Sequence, residues 1–266
     1  MSQFVLLSHE RSGSHFVGEF VSGLQGMHIY DEVCNPHAVQ AQDRPESYYG
    51  FLHRYIQAHP ELLQQMSFGT HSAWLRAYFG FLAEHAGTPH SLVDIKYGHI
   101  HKFEQHWWQA LSRPMLMSFC EYEGIGIVHL YRVNVVQAVA SYMVAEQRQV
   151  WHSWQEGAKP VGKPKVQLDC ERLVAEAQLL VQQQLLTKRW LRNTRHFTLT
   201  YEDAAAQLPS GGQLADELCA FIGSARSAPF VASHERVSQS LAQTVSNYDE
   251  LKAVCELAGL GRHVEA

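Results

Sequence analysis

The order apolar strand, polar turn and amphipathic helix occurs twice in this chain, and this repeat constrains the fold more than any other sequence feature. In the first unit an apolar run, Phe4–Leu7, is followed by the polar turn 8–14. Apolar residues then recur over 16–24 at the spacing of a helix with one buried stripe. The second unit is the run 126–131 with a helical pattern over 136–143. Two strand-to-helix units predict a parallel sheet.

The rest of the chain continues this alternation. Further predicted elements are a strand at 92–97, helical segments within 48–84 and within 102–120 (interrupted near Pro114), a long helix at 170–192 and a strand at 196–201. We therefore predict a P-loop NTPase-like three-layer α/β fold, in which helices flank a central, mostly parallel sheet, as one domain over 1–266. The Gly- and Pro-containing stretch 157–167 is interpreted as a surface loop and a candidate lid.

Composition excludes several classes of function. The formal net charge of −5 argues against a nucleic-acid-binding surface. No run approaches the ~20 apolar residues of a membrane span, and no leader precedes the first strand, which predicts a cytoplasmic protein. The five cysteines form no CxxC pair, and the 17 histidines form no HExxH, so neither disulfides nor a metal site is expected. The oligomeric state stays open, with a homodimer as one alternative.

The turn after the first strand has the features of an anion site. The first N–H groups of a helix lack partners within the helix, and the helix dipole adds positive charge there. Arg11, Ser12, Gly13 and Ser14 contribute a guanidinium, two hydroxyls and a flexible glycine. Helix capping by Ser14 is the alternative interpretation. The GxxxxGK[ST] pattern of kinases and ATPases is absent, which favours a nucleotide whose transferred group needs no Mg²⁺.

Two motifs together carry a family resemblance. The run from Glu10 to Phe16 resembles the 5'-phosphosulfate loop of sulfotransferases, in which Arg or Lys precedes Ser-Gly-Ser/Thr. The segment 129–141, with Arg132 ending a strand and Ser141 on the next helix, is similar to their 3'-phosphate motif. The chain most resembles the bacterial branch with the nodulation-factor and trehalose sulfotransferases, through short segments at 29–36, 94–97, 200–203 and 245–250.

This resemblance implies an enzyme that transfers a sulfuryl group from 3'-phosphoadenosine-5'-phosphosulfate, its co-substrate, to a hydroxyl by in-line displacement. The acceptor would be a carbohydrate or another small hydroxylated metabolite. The 5'-phosphosulfate would be bound by Arg11 and the residues that follow it, Ser12, Gly13, Ser14, His15 and Phe16. The 3'-phosphate would be bound by Arg132 and Ser141.

For the base that accepts the hydroxyl proton, the family offers His or Glu. The resemblance places Glu32 there, and His15 is the second candidate. Lys96 and His71 are candidate substrate-binding residues, and His99 is a further acceptor-site candidate. The aromatic segments 74–81, 106–108 and 151–154 either line an acceptor pocket or pack in the core. Two other functions stay open: a non-catalytic P-loop-like nucleotide-binding protein and a nucleotide kinase.

Overall fold

A five-stranded parallel sheet forms the centre of the computed structural model, which describes residues 1–35, 44–61, 68–103, 112–151, 164–231 and 240–264, with the backbone alone at 68–71. Its strands are β1 Ser2–Ser8, β2 Met27–Tyr30, β3 His90–Lys96, β4 Gly126–Tyr131 and β5 His196–Thr200. Their order is β2-β3-β1-β4-β5, and each neighbouring pair is parallel. The predicted parallel sheet is therefore confirmed.

Helices connect the strands. They are α1 Ser14–Ser22, α2 Tyr48–Ala58, α3 Phe68–Ala86, α4 Met115–Glu123, α5 Val135–Arg148, α6 Cys170–Trp190, α7 Tyr201–Gln207, α8 Gln213–Ile222, α9 Leu241–Thr244 and α10 Tyr248–Leu257. Among the described residues, the 3₁₀ segments Tyr97–Phe103, Leu191–Asn193 and Gly261–His263 follow β3, α6 and α10. Within the described ranges, no helix is long and apolar enough to cross a membrane.

Alternate residues of β1 enter two separate cores. Val5 and Leu7 pack in one apolar cluster with α3, α5 and α6, whereas Phe4 and Leu6 pack in a second cluster with α1 and α8. Successive side chains of a strand point to opposite faces, so both faces of the sheet are covered by helices. The three-layer α/β architecture is confirmed.

The connections place the candidate site at the centre of the sheet. Strands β2 and β3, which follow β1 in the chain, lie on one side of β1, and β4 and β5 lie on the other side. In open parallel sheets, ligands bind beyond the carboxyl ends of the strands where the direction of winding changes. The loops after β1 and β4 lie at that point.

Several predicted boundaries differ from the structure. Strand β2 was not predicted, because the short segment Met27–Tyr30 has no alternating pattern to distinguish it from a loop. Tyr201 begins α7 instead of ending β5, since Thr200 caps the helix by accepting a hydrogen bond from Asp203 N–H. Helix α4 begins directly after Pro114. Residues 104–111 and 152–163 lie outside the described residues, and the second range includes most of the proposed lid 157–167.

Candidate functional site

The loop after β1 forms a tight turn into the first turn of α1. Gly13 adopts a left-handed conformation (φ 85), and so does Arg11 (φ 60), which a residue with a Cβ rarely adopts. Val17 N–H donates to Gly13 O at 3.1 Å, which closes the first helical turn. The earlier N–H groups of α1 have no carbonyl acceptor within the helix and point toward the loop. These N–H groups and the positive end of the helix dipole favour a negative charge in front of the turn.

Tyr201 explains why a glycine stands at position 13. A Cβ on Gly13 would lie 2.3 Å from Cδ2 and 2.6 Å from Cε2 of Tyr201. The other side of the site also contacts this ring, because the Arg132 guanidinium carbon lies 4.7 Å from its centroid. Tyr201 therefore packs between the loop after β1 and the end of β4.

Arg11 links the two strand ends. Its Nε donates to Ser141 Oγ on α5 at 3.3 Å, and its Nη1 donates to the carbonyl of Trp151. The side chain is largely buried, and this burial lowers the pKa of Arg11, whereas the nearby Glu32 carboxylate raises it. The guanidinium therefore lies between α5 and the loop after β1, residues 8–14, which is called the phosphate loop below.

Arg132 is buried directly after β4. Its Nη2 donates to Gln137 Oε1 at 2.8 Å, and its Nη1 donates to the main-chain oxygen of Arg11 at 3.4 Å. Gln184 of α6 donates to the Arg132 carbonyl at 3.0 Å. The structure thus brings Arg11, Ser141 and Arg132 together, with Arg11 in contact with both of the others, and their assignment to the phosphates of a nucleotide stays a prediction.

A carboxylate stands at the amino end of α5. Glu202 accepts hydrogen bonds from the N–H groups of Val133 and Asn134, at 3.1 and 3.2 Å, and lies 3.8 Å from Arg132 Nε. The positive end of the helix dipole favours a negative charge at this position. The amino end of α5, where the Glu202 carboxylate lies, is therefore a second position at which a negative charge is favoured.

Lys96, at the end of β3, lies beneath the phosphate loop. Its Nζ donates to Ser14 Oγ and to Asp94 Oδ2, each at 2.6 Å, and its side chain is 2% exposed. Burial opposes the charge, but the carboxylates of Asp94 and Glu32 outweigh it and raise the pKa of Lys96. Lys96 is therefore a buried ammonium and not a solvated surface lysine, and its assignment to substrate binding stays a prediction.

Glu32 lies beside this ammonium. Its Oε1 is 3.5 Å from Lys96 Nζ, and its Oε2 accepts from Asn35 Nδ2 at 2.9 Å. Burial opposes ionisation, but the Lys96 charge and the Asn35 hydrogen bond hold the pKa of Glu32 below its usual value. The backbone of Glu32 is left-handed (φ 38), a conformation that is strained for a residue with a side chain. The carboxylate is ionised and fixed in place.

His15 and Asp31 lie at the exposed rim of the loop. His15 Nδ1 is 3.8 Å from Asp31 Oδ1, and both side chains are exposed. These two residues and Glu32 present ligand atoms within 4.8 Å of one another. Proximity of this kind does not make a metal site, so the expectation that the protein binds no metal stays a prediction.

The other candidate residues occupy different positions. His99, in the 3₁₀ segment after β3, is half-buried, its Nδ1 has no hydrogen-bond partner among the described residues, and burial lowers its pKa. Phe16 packs its ring against Phe230. The backbone of His71 lies in α3, but its side chain is outside the described residues.

Of the aromatic segments, Trp74 and Tyr78 pack in the core, and 106–108 and 152–154 are outside the described ranges.

Two buried hydroxyls near the loop lack partners. Ser8 Oγ, at the end of β1, and Ser12 Oγ, inside the loop, have no hydrogen-bond partner in the described part of the chain. Buried polar groups in native proteins are nearly always satisfied, so unpaired hydroxyls at a phosphate-type loop suggest positions that a ligand or water fills.

Sequence reasoning did not identify Asp94 or Glu202 as members of the site. Asp94 precedes Lys96 by two residues on β3, so both side chains point to the same face. That spacing was a usable signal. Glu202 is adjacent to Arg132 only through the pairing of β4 with β5, which the sequence does not display.

Fold and site together define a P-loop-like α/β protein in which Arg11, Lys96 and Arg132, each beside a carboxylate, lie at the carboxyl end of a parallel sheet. No protein-family model matches the sequence, and no curated protein matches it either. Solved sulfotransferase structures do align with it. The sulfotransferase from Alicyclobacillus acidocaldarius is 13% identical, with a TM-score of 0.46 over 97% of this chain and 92% of that one.

Two further structures align along most of this chain. The sulfotransferase domain from the curacin biosynthetic pathway is 15% identical, with a TM-score of 0.47 over 94% of this chain and 86% of that domain. Mouse sulfotransferase SULT7A1 complexed with PAP is 11% identical, with a TM-score of 0.40 over 95% of this chain and 67% of the mouse chain. Similarity of this size does not bear on activity.

Proposed function

We propose that this protein is a sulfotransferase that uses 3'-phosphoadenosine-5'-phosphosulfate as donor and a small hydroxylated metabolite, such as a carbohydrate, as acceptor. One observation carries the proposal: Arg11 of the phosphate loop contacts both Ser141 and, through its main-chain oxygen, Arg132. A nucleotide charged at its 3' and 5' ends needs two such cationic positions side by side. The motif resemblance at 10–16 and 129–141 points the same way.

In this proposal the loop binds the 5'-phosphosulfate and Arg132 binds the 3'-phosphate. A new bond forms between the acceptor oxygen and sulfur, while the bond from sulfur to the 5'-phosphate oxygen breaks. Arg11 stabilises the negative charge that grows on that leaving oxygen. Glu32, ionised at neutral pH, takes the proton of the acceptor hydroxyl. His15, beside Asp31 at the rim of the loop, is the second candidate base, and half-buried His99, whose pKa burial lowers, is a further one.

Binding of the product nucleotide tests the proposal. Isothermal titration with 3'-phosphoadenosine-5'-phosphate should show one site on the wild-type protein, and adenosine 5'-phosphate should bind more weakly because the Arg132 side is left unfilled. Arg132→Ala should weaken product binding by about 2–5 kcal/mol, the scale for truncating one side of a buried charge pair.

A matched variant separates charge loss at the site from charge loss elsewhere. Arg76→Ala removes an exposed arginine that pairs only with Glu123 among the contacts described, far from the site, and should leave the titration unchanged. Absence of product binding to the wild-type protein would refute the proposed function. Magnesium-dependent binding of ATP in its place would favour a nucleotide kinase.

A further inference from the structure

The oxygen atoms around Lys96 Nζ, one from a hydroxyl and two from carboxylates, are of the types that usually bind a metal ion. Its Nζ lies 2.6 Å from Ser14 Oγ, 2.6 Å from Asp94 Oδ2 and 3.5 Å from Glu32 Oε1. Two of these three oxygens belong to carboxylates, and both Lys96 and Asp94 are almost fully buried. Hard oxygen ligands of this type are the ones that Mg²⁺ prefers.

P-loop NTPases hold Mg²⁺ with the same two kinds of ligand. There the metal is bound by a Ser or Thr of the phosphate loop and by an Asp on a neighbouring strand. In this chain the loop hydroxyl is Ser14 and the strand carboxylate is Asp94, on β3 directly beside β1. Ser14 follows Gly13 with no lysine between them, so the agreement concerns the ligand types and the neighbouring strands, and not the loop pattern.

We propose that Lys96 is a resident cation that takes the place of Mg²⁺ at this phosphate loop, and that Asp94 is the positioning residue that holds it there. The proposal rests on the proposed function only in assuming that an anionic nucleotide binds the loop. A covalently attached ammonium carries one positive charge in place of two. This smaller charge suits a transferred sulfuryl group, which is less charged than a terminal phosphate.

The geometry of Asp94 separates this role from that of an ordinary buried ion pair. Its second oxygen, Oδ1, is buried and has no hydrogen-bond partner among the described residues. Lys96 therefore satisfies only half of the carboxylate. A buried ion pair contributes little to stability compared with apolar residues of the same size, so stability alone does not account for this pair against the phosphate loop.

Removing the ammonium should create a metal site. We expect Lys96→Ala to bind one Mn²⁺ that the wild-type protein does not bind, as measured by the loss of the free-Mn²⁺ signal in electron paramagnetic resonance. Adding Asp94→Asn to this variant should weaken that binding at least tenfold. Lys102→Ala, which removes another lysine near the same sheet edge, is the matched control and should gain no site. Metal bound at the His15 rim, which does not include Asp94, would persist in the variant that also carries Asp94→Asn.

Three results would overturn the inference. They are a folded Lys96→Ala variant that binds no more Mn²⁺ than the wild type, equal Mn²⁺ binding with and without Asp94→Asn, and a Lys96→Ala variant that stays unfolded even with Mn²⁺ present. If Lys96→Ala folds only when Mn²⁺ is added, and the double variant does not respond in this way, the inference is supported.

A second measurement uses only the wild-type protein. We expect its affinity for 3'-phosphoadenosine-5'-phosphate to be the same with about 5 equivalents of EDTA as with about 5 equivalents of Mg²⁺. A difference of up to about twofold is within ordinary titration error. A tenfold gain with Mg²⁺ would contradict a resident cation. If no nucleotide binds at all, the proposed function fails, whereas the Mn²⁺ titrations, which contain no nucleotide, still decide the role of Lys96.

Discussion

Glu32 combines a strained backbone with a carboxylate that a buried ammonium keeps ionised. The left-handed conformation of a residue with a side chain costs about 1–3 kcal/mol, and such strain concentrates at functional sites. The carboxylate faces Lys96 on one side and is held by Asn35 on the other. Position and charge are therefore set before any ligand arrives.

Glu32→Gln tests the base. The amide keeps the shape of the side chain but cannot take a proton, so we expect the rate of sulfuryl transfer to fall by about 10²- to 10⁴-fold. Product-nucleotide affinity should change little, because Glu32 does not hold the donor. The adjacent acid offers a control: Asp31→Asn, with its exposed side chain, should retain activity. Activity that survives Glu32→Gln and disappears in His99→Asn or in His15→Ala would move the base to that histidine.

Gly13→Ala tests the close approach of the loop to Tyr201. The new Cβ would meet the Tyr201 ring at 2.3 Å and would have to adopt φ 85, so we expect a loss of about 1–3 kcal/mol in the free energy of unfolding. Denaturant titration measures it. Gly80→Ala is the opposite case, because Gly80 lies in α3 with nothing within 4 Å of its Cβ position, and should stabilise by about 0.5–1 kcal/mol. A Gly13→Ala protein as stable as the wild type would contradict the described contact.

At the scale of elements, Glu202 joins β5 and α7 to the start of α5. Glu202→Ala removes the acceptor of the Val133 and Asn134 N–H groups, and we expect unfolding to become easier by about 1–2 kcal/mol. Urea unfolding curves of the variant and of the wild-type protein measure this difference in the free energy of unfolding. Glu217→Ala, on the exposed side of α8, should change stability by less than about 0.5 kcal/mol. Equal effects of both variants would mean that Glu202 does not stabilise this helix end.

The elements also show what the sequence can predict. Strands β1, β3 and β4 were predictable because each contains an apolar run, and β5 because it alternates polar and apolar residues. The phosphate loop was predictable from its position between β1 and α1. The short β2 and the start of α7 were not, since one has no alternation and the other depends on a cap by Thr200. The burial of Lys96 was missed for a similar reason: a lysine at a strand end is usually solvated, and only the partner strands show that this one is covered.

At the scale of the whole molecule, stability should depend on pH through His129. This residue is buried in β4 with its Nε2 2.6 Å from the Tyr97 hydroxyl, and burial, with the nearby charges of Lys188 and His196, lowers its pKa to about 3. Between that value and the ordinary pKa of about 6.5, the unfolded chain binds a proton that the folded protein does not. The contribution of His129 to the free energy of unfolding is therefore fully present above about pH 6.5 and decreases as the pH falls toward 3.

Unfolding midpoints at several pH values measure this effect. From one such group, the free energy of unfolding should drop by up to about 1.4 kcal/mol per pH unit below pH 6. His129→Gln keeps a partner for Tyr97 without a titrating ring, so its pH dependence should be weaker by that amount. Parallel curves for the two proteins would show that His129 is not the source.

The central position of β1 also bears on how the protein is made. This strand precedes both of its neighbours, β3 and β4, in the chain. At about 5–20 residues per second, on the order of ten seconds pass during synthesis before β4 leaves the ribosome. Until then the apolar segment Phe4–Leu7 lacks its partner on the β4 side and can pair only with β3, which is synthesised earlier. The strand that carries the phosphate loop is thus flanked on both sides only after two later segments of the chain have been synthesised.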